Sequence, residues 1–384
     1  MILPGSTIGI LGGGQLGRYF TLAARELNYK VIVFDPDVNS PAGMIANQHI
    51  QAEYTDEGAL VAFGEQCEVV TTEFENIPAA SLNIVAQQCL VHPPSEAVEI
   101  AQDRIAEKAF IKSCGLLPVP YGEIQTASDI AKAIDNIEFP AIIKTSRFGY
   151  DGKGQVTVNS LEDVKQAYRE LEQVSCVLEQ RIDLFAEISV VLGRNQAGET
   201  TCFPVSENVH VDGILHQSIV PSYVEPSLQN AAQVAAKRIA DKLNYVGVLA
   251  VEFFITKKGD LFINEMAPRT HNSGHYTMDA CITSQFEQHV RMVCDLPAGD
   301  TKLLSPVVMT NILGDLYFES NDNKNNKNES LNTESVVSEP TSKYHDYGKH
   351  QARKGRKMGH YNVLSKDVAE AKAIADKIFK ALED

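Results

Sequence analysis

The sequence predicts an α/β chain that becomes α+β in its central part, and three stretches carry that expectation. Residues 7–11 form a short apolar run that leads into Gly12-Gly13-Gly14-Gln15-Leu16-Gly17, a helical run at 18–27 and a second apolar run at 31–34. That order is a strand, a glycine turn, a helix and a strand. Residues 140–145 read as a strand carrying Lys144, followed by a glycine-rich loop at 148–155 and a β-like run at 156–158. Residues 249–274 hold two apolar runs around Lys257-Lys258-Gly259-Asp260, the pattern of an antiparallel hairpin.

A chain of 384 residues with 44% hydrophobic and 22% charged residues has enough apolar material for about two to three domains. Its net charge of −16 argues against nucleic acid or an anionic membrane surface as the main partner, so any phosphate binding must be local. Seven cysteines, an odd number with no CxxC pair, suit reduced thiols and a cytoplasmic setting. No basic segment followed by a cleavable apolar stretch opens the chain, and no apolar run is long enough to span a bilayer.

In order, Gly12, Gly14 and Gly17 match G-x-G-x-x-G, and Asp35 follows about 20 residues on, the dinucleotide pattern. Bare amides at a helix N-terminus hold any anion, so a mononucleotide phosphate suits the turn equally, as does a packing role for the glycines. The strand at 69–72 ends in Glu73-Phe74-Glu75-Asn76, where open α/β sheets place ligands. Prolines at 93–94 mark an expected end to the first domain. A helix at 103–114 is expected, capped by Asp103 and stopped by Gly115, with Arg104 and Lys108 on a solvated face. The loop after Lys144 is not a P-loop, because Gly154 follows Lys153 and no helix succeeds it. Its glycines can still fold backbone N–H groups over a polyphosphate while Lys144 and Lys153 neutralise charge, although a plain hairpin loop is the alternative. Strands at 176–182 and 187–192 present Glu179 and Glu187. An Ala-rich helix at 230–243, with Ser227 as its cap, leads into the hairpin. Residues 319–342 lack large apolar groups and are expected to be poorly ordered, and a cationic run, 344–360, follows.

The hairpin carries the chemistry. If it closes symmetrically about Lys258-Gly259, Thr256 pairs with Leu261 and Glu252 falls opposite Glu265. Like charges about 5 Å apart repel by on the order of 3 kcal/mol at an effective dielectric near 20. Two carboxylates with Asn264 beside them suit an oxygen-ligated cation such as Mg²⁺, whereas glutamates on the wet face of the hairpin are the plain alternative. A three-residue loop would shift the register by one and put them on opposite faces.

The order of these parts resembles the ATP-grasp superfamily. GGGQLGR, TTEFENIP, QDR at 102–104, GYDGKGQ, ENVH, VEFF, NEMAPRTHNSGH and YGKHQARKGRKMGH narrow the resemblance to the 5-(carboxyamino)imidazole ribonucleotide synthetases, over nearly the whole chain. The resemblance implies a Rossmann-like N-terminal domain at 1–96, an ATP-grasp domain of two subdomains at 97–298, and a small C-terminal domain at 299–384; the stretch 319–342 has no counterpart in that pattern and is expected to be a flexible insertion. It implies that ATP phosphorylates bicarbonate to carboxyphosphate, that aminoimidazole ribonucleotide is carboxylated, and that ADP and phosphate leave. It further implies a homodimer without nucleic-acid or membrane partners, using Mg²⁺ or alternatively Mn²⁺.

Carried onto this chain, the resemblance assigns ATP to Arg104, Lys144, Gly149, Tyr150, Asp151, Gly152, Lys153, Gly154, Gln155, Glu179, Gln180, Arg181, Ile182, Glu187, His210, Asn264 and Glu265. Glu252 and Glu265 take the metal; Arg269, His271 and Asn272, with Lys144, handle bicarbonate and its phosphorylated form. Gln15, Leu16, Glu73, Tyr150, Lys349 and Arg356 line the ribonucleotide site, the last two facing its phosphate. Other readings remain: an ATP-grasp ligase for another carboxylate, an NAD(P)-dependent oxidoreductase resting on Gly12, Gly14, Gly17 and Asp35, and a non-catalytic nucleotide sensor.

Overall fold

The computed structural model describes residues 1–135, 137–149, 154–318 and 331–383. Five parallel strands open the chain, in the order Gln48–Ile50, Lys30–Phe34, Thr7–Leu11, Val69–Thr72 and Leu90–Val91. Their near-continuous apolar runs bury on both faces, as a helix-covered parallel sheet requires. The first helix, Gln15–Glu26, starts at the glycine turn itself and packs Leu16, Tyr19, Phe20 and Ala24 inward. Leu90–Val91 still belongs to this sheet, so the proline break follows the last strand and leads into helix Ser95–Ala101.

A second, antiparallel sheet has the order Tyr121–Ile124, Cys176–Gln180, Ala141–Thr145 and Gln155–Val158. Helix Leu161–Glu170 covers it, capped by Ser160 and packing Val164 and Tyr168 on Ile143, Val158 and Leu178. The predicted strand at 176–182 ends earlier, at Gln180, because the N–H groups of Gln180 and Arg181 turn to the carbonyls of Pro120 and Pro140.

The third sheet has nine antiparallel strands, running from Leu261–Ala267 through Gly247–Thr256, Leu184–Arg194, Ser206–Val211 and Ile214–Val220 to Val307–Leu313, Lys357–Leu364 and Ser342–Asp346. Thr200–Cys202 adds to the side of Leu184–Arg194. Hydrogen bonds between Ile214–Val220 and Val307–Leu313 carry this sheet past residue 299 without a break. Helix Pro226–Lys242 lies on it, and its alanines at 232, 235, 236 and 240 let the backbone approach Ile188, Val190 and Val251 closely. Glu225, rather than Ser227, precedes the first turn, with Pro226 in the opening position whose missing N–H costs nothing.

His289 ties the first sheet to the third. Its Nδ1 accepts from Val248 N at 2.9 Å, leaving Nε2 to donate to Thr71 Oγ1 at 2.8 Å. Burial holds this imidazole down to about 3, so it is neutral, the form that can bridge an N–H and a hydroxyl.

Residues 331–342 depart from the disorder expected of 319–342. Glu334–Val337 is a short helix that buries Val336 in the C-terminal core beside Tyr361 and Ile378, and Ser342 already belongs to a strand. One buried valine anchors a polar segment whose average composition hides it. Residues 319–330 lie outside the described residues. No helix among the described residues is long and apolar enough to cross a membrane.

Candidate active site

The carboxylate hairpin reaches the expected pairing by an unexpected route. Thr256 N donates to Asp260 O at 3.0 Å and Gly259 N to Thr256 O at 2.9 Å, so the loop takes an extra residue. Ile255, not Thr256, therefore pairs with Leu261. Continued straight, that register would set Asn264 against Glu252, but the strand bulges there and Glu252 pairs with Glu265. The bulge leaves Asn264 Nδ2 donating to Glu252 Oε2 at 3.3 Å. Burial first, and then Glu265, push the Glu252 carboxyl up from its ordinary range, opposed by the charge of His210.

Three consecutive residues strap this hairpin to the rest. Gln102 Nε2 donates to the carbonyls of Glu75 and Ile77, both at 2.6 Å, and clamps the loop after the strand Val69–Thr72. Asp103 caps helix Arg104–Ser113 by accepting from Ile105 N at 2.9 Å, and takes Ser146 Oγ at 2.5 Å and Arg147 Nε at 3.0 Å. Burial would raise its carboxyl, but the bonds from Ser146, the helix amides and Arg147 outweigh it and hold it low. Arg104 donates Nη1 to Glu265 Oε2 at 3.4 Å and Nη2 to Gly149 O at 3.3 Å.

One turn on, Lys108 is not on a solvated face. It is 1% exposed, and its Nζ lies 2.9 Å from Glu179 Oε1 while Lys144 Nζ lies 2.6 Å from Oε2. The expectation fails because strand Cys176–Gln180 covers that side of the helix, which spacing along the helix alone does not reveal. Burial would raise the Glu179 carboxyl, yet Lys144 and Lys108 together hold it down to about 2. Gln155 stands directly across the strand pair from Lys144, and Gly154 sits at φ +72° against Thr145. Gln180, Ile182 and Phe262 line a cleft of about 260 Å³ between the two antiparallel sheets. Arg181 occupies the connection from Gln180 to the next strand, on which Glu187 Oε2 holds His210 Nδ1 at 2.6 Å. Burial opposes the His210 charge, but Glu187 and Glu252 raise its pKa. Tyr150, Asp151, Gly152 and Lys153 lie outside the described residues.

On the other side, Glu73 answers the question of what the glycine turn holds. Its Oε1 accepts from Gly14 N at 2.7 Å, and its Oε2 from Leu16 N at 3.1 Å and Gly17 N at 3.0 Å. Asp35 takes Gly13 N at 2.6 Å. The amides that an anionic ligand would use are therefore engaged by the protein's own carboxylates. Gln15 and Lys349 meet across 334 residues, Lys349 Nζ donating to Gln15 Oε1 at 2.6 Å. Arg356 donates Nη1 to Gln351 O at 2.8 Å; burial and Arg353 lower its pKa.

Past the hairpin, Arg269 Nε donates to Glu75 Oε2 and Nη1 to Thr270 O at 3.0 Å. His271 Nε2 lies 3.6 Å from Glu252 Oε1. Burial, together with the positive charges of Arg269 and Lys357, keeps this imidazole neutral, and its Nδ1 accepts from Ser273 N at 3.3 Å. The remaining proton therefore sits on Nε2, facing Glu252. Asn272, expected at bicarbonate, is tied to a neighbouring strand. It is buried, and its amide is paired reciprocally with Asn311, at 3.0 Å and 2.6 Å, joining the hairpin's exit to strand Val307–Leu313.

Three family models match in sequence order: the ribonucleotide synthetase preATP-grasp domain at residues 5–102, the ATP-grasp domain at 109–286, and the phosphoribosylaminoimidazole carboxylase C-terminal domain at 307–374. The N5-carboxyaminoimidazole ribonucleotide synthase of Bacillus subtilis (strain 168) is 43% identical over 364 residues, 95% of this chain and 93% of that protein. The chain belongs to the N5-carboxyaminoimidazole ribonucleotide synthase family. The crystal structure of the Staphylococcus aureus synthetase complexed with ADP is similar, with TM-score 0.90 and 36% identity over 100% of this chain and 98% of that one. That of the Aspergillus clavatus enzyme in complex with ADP and 5-aminoimidazole ribonucleotide gives TM-score 0.89 and 28% identity, covering 98% of each chain. As a synthase with an ATP-grasp domain, the chain is an ADP-forming ligase.

Sequence reasoning passed over several residues that hold this synthase site together. Lys108 and Glu107 are buried beside Arg104, and Glu107 accepts from Met266 N at 2.6 Å within the hairpin. Burial and Glu265 push Glu107 up to about 8, against Lys108 and the Met266 amide. A carboxylate and an ammonium at adjacent helix positions, on a helix flanked by site motifs, were the available signal. Gln102, beside the Asp103 cap, has only its place between two helices as a signal.

Proposed function

We propose that this chain carries out ATP- and bicarbonate-dependent carboxylation of 5-aminoimidazole ribonucleotide in purine biosynthesis, with carboxyphosphate as intermediate and with roles divided among the residues above. The observation that carries the division is the pairing of Glu252 with Glu265 across the hairpin, next to the Arg104 and Lys108–Glu179–Lys144 group. ATP lies between the two antiparallel sheets, its base in the cleft beside Gln180 and Ile182, its phosphates toward Lys144 and the loop after it. Glu179, ionised by its two lysines, fixes the Lys144 ammonium in place.

The donor set fits Mg²⁺, or Mn²⁺ in its stead. Glu252 and Glu265 offer hard oxygen ligands, and a divalent cation would offset both the burial and the repulsion that push the Glu252 carboxyl up. Among the described residues no group of three or more His, Cys, Asp or Glu side chains is placed to hold an ion, so phosphate and water must complete its shell. When bound, the ion neutralises charge on the transferring phosphoryl group. Arg269 and neutral His271 then face bicarbonate and carboxyphosphate, and Asn272 holds their loop from behind. With the glycine turn capped by Glu73, the ribonucleotide's phosphate goes to Lys349 and Arg356, and Gln15, Leu16 and Glu73 border its sugar.

All seven cysteines are free, which agrees with a reducing cytoplasm. We assign the working state to a homodimer, checked by light scattering of the purified chain. ADP release with ATP and Mg²⁺ tests the activity. Rapid release only when bicarbonate and aminoimidazole ribonucleotide are both present supports it; ATP binding without turnover under those conditions sinks it.

A further inference from the structure

Glu73 and Glu75 are two residues apart on the loop after strand Val69–Thr72, and their carboxylates do different work. Glu73 caps the glycine turn, whereas Glu75 reaches across to Arg269, on the loop that leaves the hairpin. The main chain of Glu75 is clamped by Gln102, so this carboxylate is presented on a fixed loop. The guanidinium is held at two of its three nitrogens. Its Nε meets Glu75 and one Nη1 proton meets Thr270 O, while Nη2 has no hydrogen bond among the described residues. Arginine offers five N–H donors in a rigid fork, so holding Nε and one Nη1 proton fixes the plane and leaves Nη2 for an oxyanion. Side-chain exposures of 17% for Arg269 and 29% for Glu75 leave the pair partly open to solvent rather than sealed in the core.

We propose that Glu75 is a positioning residue for the carboxylation reaction: it holds Arg269 by Nε across the domain junction so that Nη2 of the guanidinium faces bicarbonate and carboxyphosphate. The assignment rests on Arg269 serving that side of the site. Charge supports the geometry, since Arg269 outweighs burial to keep the Glu75 carboxyl low and ionised. An ordinary interdomain ion pair would stabilise the fold without favouring one substrate. A positioning pair must show a preference.

Steady-state ADP release by the full chain, with each substrate varied in turn, separates these roles. Wild type must require both bicarbonate and aminoimidazole ribonucleotide, and failure there removes the functional reading itself. Given that requirement, Glu75→Gln, which keeps the shape and loses the charge, is expected to raise KM for bicarbonate by about 10-fold while KM for ATP stays within about twofold. In an Arg269→Lys background the same change should cost little more, because the fork it positions is gone. A bicarbonate KM within twofold of wild type, equal rises for all three substrates, or losses that multiply in the double variant would overturn the proposal. Glu75→Asp, which keeps the charge with a shorter reach, is held to the same three readouts and should fall between wild type and Glu75→Gln.

Discussion

Glu265→Gln is expected to lower turnover by about 10³-fold or more, equivalent to roughly 4 kcal/mol of transition-state stabilisation, while the protein stays folded. The side chain is nearly isosteric, so the hairpin pairing with Glu252 survives and only the charge is lost. Stability should not fall in step with activity, because Glu265 is one of the charges that push the Glu252 carboxyl upward. Its ion pair with Arg104 is long at 3.4 Å, and Glu265 is 39% exposed, so that contact offsets little. Melting temperature within about 2 °C of wild type, beside lost ADP release, is the expected pair of measurements. Near-normal turnover would remove the metal assignment.

Glu179→Gln should have the largest effect on stability. Lys108, 1% exposed, and Lys144, 13% exposed, share this single carboxylate, and replacing it leaves two ammoniums facing a neutral amide. Breaking a buried pair by removing one partner costs about 3–5 kcal/mol, or roughly 4–6 °C for a chain of this length by per-residue unfolding entropies. ATP affinity should fall with it, because Lys144 loses its anchor. The wild-type pH dependence follows from the same carboxylate, whose pKa is about 2 in the fold. A carboxyl depressed by folding binds fewer protons folded than unfolded, so its contribution is present above about pH 4.5 and lost as pH falls toward 2. Acid titration of wild type should therefore lose on the order of 3 kcal/mol through that window, and Glu179→Gln should lack this component; chemical denaturation at each pH reads both.

Much of the site was legible because its motifs sit at strand ends and turns, where local chemistry decides structure. The strands at 7–11 and 69–72 and the Asp103 cap follow from apolar runs and an N-cap preference, both short-range. The hairpin is a different lesson. Glu252 and Glu265 face each other because two departures from simple pairing cancel, a loop longer by one residue and a bulge at Asn264. Neither is visible in a pattern of period two. What the glycine turn holds was equally hidden, since Glu73 and Asp35 come to it from 56 to 59 and 22 residues away. The motif shows that the amides exist, and only the tertiary fold shows which carboxylates take them. Lys108 and Asn272 show the same limit: a residue expected in solvent is buried in an ion pair, and the amide of Asn272 has a partner, Asn311, that no local pattern reveals. In both, the deciding neighbour lies on a distant strand.

The account depends on Glu252 and Glu265 coupling a divalent cation to the nucleotide, and calorimetric titration of ADP with Mg²⁺ or with EDTA tests that most directly. Wild type should bind ADP about 10-fold more tightly, or better, with Mg²⁺, and Glu252→Gln with Glu265→Gln should abolish that gain while leaving metal-free ADP affinity nearly unchanged. An undiminished Mg²⁺ gain in the doubly substituted protein would contradict it.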